Sequence, residues 1–160
     1  MSRLDLVRYE VGIAKAHYDI RRNIDDPIKL LEGLEGTWYA HSVHTLNKSC
    51  IELIGTPDYD EKLELAKHHH NFNEVFFSPN GGFTFALADI NDPNEIRTYT
   101  LEKGSRLYLP IYTAHLALGL ENSVLLGFGD VPFDPKKLIP SDPKLIEKLR
   151  EELFKKLRKG

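Results

Sequence analysis

"HHHNFNEVFFSPNGG", residues 68–82, places three consecutive histidines before Glu74, which follows four residues after the last of them. Alternate side chains of a β-strand point to the same face, so His68, His70 and Glu74 share one parity and His69 has the other. In a helix, residues two apart point in nearly opposite directions, because each residue advances by about 100°. The pattern therefore predicts extended backbone here, either as one strand or as two strands joined by a tight turn at residues 71–73.

The chain around this stretch, from residue 37 to 130, consists of short segments rich in aromatic and β-branched residues. Clusters of Gly, Pro, Asn and Asp separate the segments and indicate turns. Many short strands at close spacing predict a mainly β protein, built as an antiparallel sandwich or barrel. The segment EKLELAK also contains good helix formers, so its state stays open. The predicted strands are TWYAHSVHTL, SCIELIG, EVFFSP, GGFTFALADI, IRTYTLEKG, RLYLPIY, HLALGL and SVLLGFGD.

Two segments outside this region predict helices. DDPIKLLEGLEG, residues 25–36, has a proline suited to a first turn and glycines suited to an end, which makes the N-terminal segment partly helical. Residues 141–159 begin with Ser141 or Asp142 as a cap and Pro143 in the first turn. Apolar residues recur there at helical spacing, so this helix covers one face or end of the β-domain or packs against a second subunit. The apolar positions are Leu145, Ile146, Leu149, Leu153, Phe154 and Leu157.

Length and composition indicate one soluble domain over residues 1–160, with the β-core at 37–130. The net charge of -3 provides no basic field for nucleic acid or an acidic membrane. No apolar run reaches the roughly 18 residues that a membrane span needs, and the start lacks the apolar stretch of a secretion signal. The single cysteine, Cys50, excludes an internal disulfide, so we expect a cytoplasmic protein and a packing role for this side chain.

The histidines and Glu74 combine imidazole nitrogens with a carboxylate oxygen. This donor set suits a divalent ion of iron, manganese, nickel, zinc, copper or cobalt, and it suits calcium poorly. The alternative is a solvated histidine run beside a turn. The sequence that follows decides between the two interpretations.

Two motifs resemble those of the cupin superfamily. The first cupin motif runs glycine, five residues, HxH, three or four residues, glutamate, six residues, glycine, and here His68-His69-His70 is followed at that spacing by Glu74 and Gly81. The second runs glycine, five residues, proline, x, glycine, two residues, histidine, three residues, asparagine. Its first glycine, its proline and its histidine are present. They are Gly104, Pro110 and His115.

The chain departs from the two motifs at three positions. Lys62 stands where the first motif opens with glycine, Tyr112 replaces the inner glycine of the second, and Gly119 replaces its final asparagine. All three positions lie at turns and caps, so they concern local geometry more than the ligands. The stretch GGFTFALADINDPNEIRTYTLEKG is also similar to the ureidoglycolate lyase family, a cupin-like group that lacks the HxH pattern.

The resemblance implies a cupin-type jelly-roll barrel in which His68, His70, Glu74 and His115 hold one divalent metal ion. It also implies a homodimer. Three neutral imidazoles and one carboxylate leave a positive centre that can polarise a carbonyl, orient an enediolate, activate water or bind dioxygen. The same ligands would also fit a metal that only stabilises the barrel.

Several side chains around this centre are candidates for contact with a substrate. Tyr112 lies at the pocket mouth if the motif holds, as a proton donor, a substrate contact or a space filler. Arg106 and Tyr108 alternate with two leucines, so they face either the barrel interior, where they bind an anionic substrate, or the solvent. His41 and His44 have opposite parity, so at most one faces a cavity, and His44 is the candidate substrate contact. We expect His69 to be exposed or packed at the rim, and we expect Phe72, Phe76, Phe83 and Phe85 to fill the core.

The function that the resemblance implies is a metal-dependent enzyme acting on a small polar substrate, a sugar or a hydroxy or keto acid. Isomerase, epimerase and lyase reactions fit this substrate class, with Glu74 and Tyr112 as the catalytic candidates. The alternatives are an Fe(II)-dependent dioxygenase and a non-enzymatic cupin that binds a metabolite. No partner beyond the small molecule and a second copy of the chain is expected.

Overall fold

The computed structural model describes residues 38–46, 53–59, 61, 64–103, 105–119, 123–131, 134, 136 and 138–159. Within these ranges the chain forms nine strands and a C-terminal helix. They are β1 (Tyr39–Leu46), β2 (Leu65–His70), β3 (Glu74–Asn80), β4 (Gly82–Asp89), β5 (Arg97–Glu102), β6 (Arg106–Leu109), β7 (Thr113–Gly119), β8 (Ser123–Gly129), β9 (Leu138–Pro140) and α1 (Pro143–Lys159). The predicted N-terminal helix and Cys50 lie outside the described residues.

The strands form two antiparallel sheets, with the orders β1-β8-β3-β6 and β5-β4-β7-β2-β9. For the first eight strands this is the strand order of a jelly roll, in which two four-stranded sheets face each other and the chain crosses repeatedly between them. The predicted fold class is therefore confirmed as a mainly β jelly-roll barrel with a C-terminal helix. β9 adds a fifth strand to one sheet by pairing with β2, at His68↔Pro140, His69↔Ile139 and His70↔Leu138.

Most predicted strands are present, and two differences have physical reasons. The histidines end β2 and Glu74 begins β3, so the two-strand alternative with a turn at residues 71–73 is confirmed. SCIELIG does not continue as a strand, because residues 53–55 form a turn in which Gly55 has φ +81°. The sequence did not predict β9, since a three-residue strand that ends in proline carries almost no strand signal.

The space between the sheets is filled by apolar side chains that alternate with outward-facing residues. The four phenylalanines predicted as core, Phe72, Phe76, Phe83 and Phe85, are all buried. Phe76 and Phe85 stack at 5.3 Å between ring centroids. The interior cluster consists of Phe76, Phe83, Phe85, Leu101, Leu107, Leu109, Ala117 and Leu125.

Helix α1 covers the outer face of the five-stranded sheet. Its buried positions Leu145, Ile146, Leu149 and Leu153 pack on small and aliphatic residues of β4 and β7, which confirms the first of the two predicted roles. Asp142 is the cap, because the N–H of Lys144 donates to Asp142 Oδ1 at 3.0 Å and the N–H of Ile146 donates to its carbonyl oxygen. In the described part of the chain, no helix is long and apolar enough to cross a membrane.

A buried ion pair fastens α1 to the segment before β2. Glu64 accepts two hydrogen bonds from the Arg150 guanidinium, at 2.6 Å from Nε and 2.8 Å from Nη2. The Tyr59 hydroxyl donates to the same carboxylate at 2.6 Å. Because these bonds satisfy a carboxylate that solvent does not reach, they fix helix α1 to the residue that directly precedes β2.

The turn that connects β3 in one sheet with β4 in the other depends on Gly81, the last glycine of the first motif. Its φ of +74° confirms the predicted turn, in which the chain needs a left-handed residue. A Cβ at this position would lie 2.7 Å from Ser123 Cα. Ser123 Oγ in turn donates to the Gly82 carbonyl and accepts from the Gly82 N–H, both at 3.1 Å, so the first residue of β8 holds this turn in place.

Candidate functional site

Three of the predicted ligands come together between the two sheets, near one end of the barrel. His68 in β2 is the cross-strand partner of His115 in β7, and their ring centroids lie 4.7 Å apart with the planes almost perpendicular. Glu74 belongs to the opposite sheet and begins β3. Its Oε1 lies 3.5 Å from His115 Nε2. The topology thus brings residues far apart in sequence to one buried point.

The hydrogen bond of His115 determines which of its two ring nitrogens carries the proton in the neutral ring. Nδ1 lies 3.0 Å from the carbonyl oxygen of Thr113. A carbonyl oxygen only accepts, so Nδ1 carries the proton and donates it. In the neutral ring, Nε2 therefore directs its lone pair toward the carboxylate of Glu74.

This pair is shielded from solvent. The side chains of His115 and Glu74 are 0% and 2% exposed. Phe76, which has the same parity as Glu74 in β3, packs its ring 5.7 Å from the His115 ring and separates the pair from the barrel core. A charged carboxylate in such an apolar place is stabilised by a protonated imidazole, by hydrogen-bond donors or by a bound cation, because desolvation disfavours its charge.

His68 reaches the interior because of a bulge that the sequence did not predict. Leu65 and His68 are three residues apart, so a regular strand would place them on opposite faces. The pairing Ala66↔Leu116 is followed directly by His68↔His115, which leaves Lys67 as an extra residue with φ +62°. The bulge shifts the strand by one position, so His68 joins Leu65 on the inner side.

The remaining ligand candidate, His70, ends β2, and its side chain is outside the described part of the structure. Among the described residues, no three His, Cys, Asp or Glu side chains are placed so that they could hold a metal ion together, and this includes His68, Glu74 and His115. The assignment of the metal ligands therefore stays a prediction. His69 has the opposite direction, as expected, and its Nδ1 lies 3.2 Å from Ser141 Oγ beside the cap of α1.

Tyr112 lies in the turn between β6 and β7, three residues before His115. Its φ of +61° is the left-handed conformation that explains why the family motif has glycine here. Its carbonyl accepts from the N–H of Ile90 at 3.0 Å, and 38% of the residue is exposed. Tyr112 thus stands at the rim of the barrel, where a substrate contact remains a prediction.

Of the two alternatives for Arg106 and Tyr108, the structure supports the one in which they face the solvent and not the barrel interior. In β6 the two leucines are buried and Arg106 and Tyr108 are exposed. Tyr108 packs edge-on against Trp38 at 6.2 Å. Alternation alone could not choose between the two faces, but the leucines join the interior cluster and so turn the polar pair outward. The side chains of His41 and His44 lie outside the described residues, so the role of His44 is untested.

Two polar residues at this end of the barrel were not predicted. Asn73, in the turn that leads into Glu74, hydrogen-bonds to Asp130 at the end of β8. Asparagine in a turn and an aspartate after a strand are ordinary sequence features. Their pairing depends on the jelly-roll topology, so only the three-dimensional structure shows it.

Comparisons with known proteins give matches in structure alone. No protein-family model and no curated protein matches the sequence. Among solved structures, QdtA, a sugar 3,4-ketoisomerase from Thermoanaerobacterium thermosaccharolyticum, aligns with TM-score 0.49 and 19% identity over 71% of this chain and 76% of that one. WlaRA, a TDP-fucose-3,4-ketoisomerase from Campylobacter jejuni, aligns with TM-score 0.48 and 14% identity over 72% and 75%. Oxalate decarboxylase from Bacillus subtilis aligns with TM-score 0.47 and 14% identity over 69% of this chain and 28% of that one.

Proposed function

We propose that this chain is a cupin enzyme that binds one divalent metal ion with His68, His70, Glu74 and His115. Its substrate is a small polar molecule, a sugar or a hydroxy or keto acid, and its reaction is an isomerisation, an epimerisation or an elimination. The observation that carries the proposal is the buried pair of Glu74 and His115 beside His68.

The geometry of this pair fits two ligands of one ion. Nitrogen and oxygen ligands about 2.0–2.2 Å from an ion, at angles of about 90–110°, lie roughly 3.0–3.5 Å apart. The separation of 3.5 Å between Glu74 Oε1 and His115 Nε2 is at the upper end of this range. It exceeds the roughly 2.7–2.9 Å of a charge-assisted hydrogen bond. The donation from Nδ1 to a backbone carbonyl is also the usual outer partner of a ligating histidine.

The residues at this site have different proposed roles. A bound ion would supply a Lewis acid for a carbonyl or hydroxyl oxygen. Glu74 balances positive charge, and His115 is fixed in one tautomer by Thr113. Phe76 keeps water from reaching the site from the core side. Tyr112 at the rim is the residue that we propose for proton donation or substrate contact.

Turnover of a substrate panel by the full chain tests the proposal. The panel contains free sugars, hydroxy and keto acids, and nucleotide-linked keto sugars of the class named for the structural neighbours. Each is tested after the protein is loaded in turn with Mn²⁺, Fe²⁺, Co²⁺, Ni²⁺ and Zn²⁺. We expect turnover in the wild type and a loss of about 100-fold or more in Glu74→Gln, which keeps the shape of the side chain but removes its charge.

Thermal unfolding of Glu74→Gln separates a catalytic from a structural ion. A catalytic role predicts lost turnover with a melting temperature close to that of the wild type. A purely structural role predicts a clear fall in the melting temperature of Glu74→Gln and no turnover by the wild type or the variant. Oxygen consumption by the Fe²⁺-loaded protein would favour the dioxygenase alternative, and binding without turnover would favour the metabolite-binding one.

The proposed homodimer is tested separately by light scattering on the full chain. A mass of twice 18.3 kDa supports it, and a mass of 18.3 kDa at micromolar concentration contradicts it. The proposal for the metal site does not depend on this result, because the three described side chains that meet belong to one chain.

A further inference from the structure

We infer that Asn73 and Asp130 are positioning residues that set the distance between Glu74 and His115. The part of this inference that concerns metal affinity rests on the proposed function. The part that concerns geometry does not.

The two halves of the buried pair have no direct backbone connection. Glu74 belongs to β3, which pairs with β6 and β8 in one sheet. His115 belongs to β7, which pairs with β2 and β4 in the other. Strand pairing therefore fixes each residue within its own sheet, and another contact must set the spacing across the barrel.

Asn73 supplies such a contact through both its backbone and its side chain. Its N–H donates to Asp130 Oδ1 at 3.1 Å, and its Nδ2 donates to Asp130 Oδ2 at 2.8 Å. The N–H of Asp130 donates back to the Asn73 carbonyl at 3.1 Å. Because Glu74 is the next residue, these three bonds fix the start of β3 against the end of β8.

The fourth hydrogen bond of Asn73 crosses to the segment that leads into His115. The N–H of Ile111 donates to Asn73 Oδ1 at 3.1 Å. The next residue, Tyr112, is held from the other side by the Ile90 N–H. The turn before β7 is thus fixed at two successive residues, and one of the two bonds comes from the residue that precedes Glu74.

The pattern of donors allows a test by exchange. In the double variant Asn73→Asp with Asp130→Asn, the new carboxylate at position 73 accepts from the Ile111 N–H and from the new amide at position 130. The oxygen of that amide still accepts from the N–H of residue 73, so all three side-chain bonds persist. Each single variant loses at least one of them: Asn73→Asp sets two carboxylates against each other, and Asp130→Asn provides one acceptor where two are needed.

The experiment combines calorimetric titration of the full-length apoprotein with Mn²⁺ and crystal structures of the metal-free proteins. We expect Asn73→Asp to raise the Kd for Mn²⁺ by about 10-fold or more, as loss of an outer partner does in other metal sites. We expect the distance from Glu74 Oε1 to His115 Nε2 to exceed the original 3.5 Å. The exchanged double variant should restore both values.

Ser78→Ala is the matched control, because Ser78 Oγ donates a buried hydrogen bond to the Val124 carbonyl from the same strand, four residues beyond Glu74. It should lower the melting temperature and leave the Kd and the distance unchanged. An unchanged distance in Asn73→Asp, or a double variant that fails to restore it, would overturn the inference. A wild type that binds no Mn²⁺ would instead refute the proposed metal site, and the crystallographic distances would then decide the inference alone.

Discussion

Lys67 and Tyr112 both have φ near +60°, a conformation that costs an L-residue about 1–2 kcal/mol. Both flank the candidate site in sequence, since one directly precedes His68 and the other lies three residues before His115. Lys67 turns His68 inward through the bulge, and Tyr112 closes the turn that leads into β7. The barrel thus accepts backbone strain at the two points where histidines are directed into its interior.

The strain at Tyr112 leads to a prediction for stability. Tyr112→Gly should be neutral or stabilising, because glycine adopts this φ without a steric penalty and this gain offsets its greater chain entropy. Tyr99→Gly is the control: Tyr99 lies in β5 and is 40% exposed, compared with 38% for Tyr112. There the same change should cost about 1 kcal/mol, since glycine weakens a strand. Urea unfolding checks the pair, and equal losses in the two variants would refute the assigned strain.

The spacing of the ligands was predictable at the residue scale, and the bulge was not. The motif placed His68, Glu74 and His115 in one region because it records which positions converge in this type of barrel. Nothing in the segment LAKHHH distinguishes Lys67 as an extra residue, since lysine has no preference for left-handed φ. His68 and His69 have different partners, as predicted, and the direction of His70 stays a prediction. The bulge decides on which face His68 lies relative to Leu65.

Helix α1 stabilises the barrel through two kinds of contact. Its apolar face buries Leu149 and Leu153 completely against the outer side of the five-stranded sheet. Its polar anchor is Arg150, whose pKa is raised above its ordinary value, first by the hydrogen bond to Glu64. A raised pKa for a cation means that its contribution to stability is complete at every pH below the ordinary value and is lost only at strongly alkaline pH.

Glu64→Gln should destabilise the protein by about 1–3 kcal/mol, because it removes the buried counter-charge of a partly exposed guanidinium that keeps the exposed Glu61 carboxylate at 3.6 Å. Chemical unfolding should show the same loss at every pH between about 6 and 9, since Arg150 stays protonated throughout. The matched change Glu152→Gln removes the exposed pair with Lys155 at 3.3 Å and should cost less than about 0.5 kcal/mol. Similar losses in the two variants would show that Glu64 and Arg150 do not anchor the helix.

Strands and helices were predictable where the sequence contains residues typical of turns or a long repeat of apolar positions. The NGG segment marks the turn between β3 and β4, although not that the two strands pair in different sheets. The apolar period with its Asp142-Pro143 start marks α1. Alternation did not predict which side chains of β6 face the interior, because either the two leucines or the arginine and the tyrosine could lie on that face. Contact with the interior cluster resolves it, and that contact depends on the whole barrel.

The jelly-roll order emerges only at the scale of the whole molecule. Aromatic and β-branched segments predict a sandwich or barrel, but the choice among topologies came from the two spaced motifs. Once the order is set, β2 and β7 are neighbours and β3 faces them from the other sheet, so His68, His115 and Glu74 must approach each other. The candidate site is therefore a consequence of topology more than of local sequence.

Titration of the full-length apoprotein with Co²⁺, followed by its visible absorption, tests the central claim most directly. The wild type should bind one Co²⁺ per chain. His115→Gln should weaken binding by roughly 100-fold or more, because a ligand is lost rather than an outer partner. His69→Gln, which changes the neighbouring histidine that faces Ser141, should bind as the wild type does. Equal binding by the His115 and His69 variants, or no binding by the wild type, would contradict a metal centre at this site.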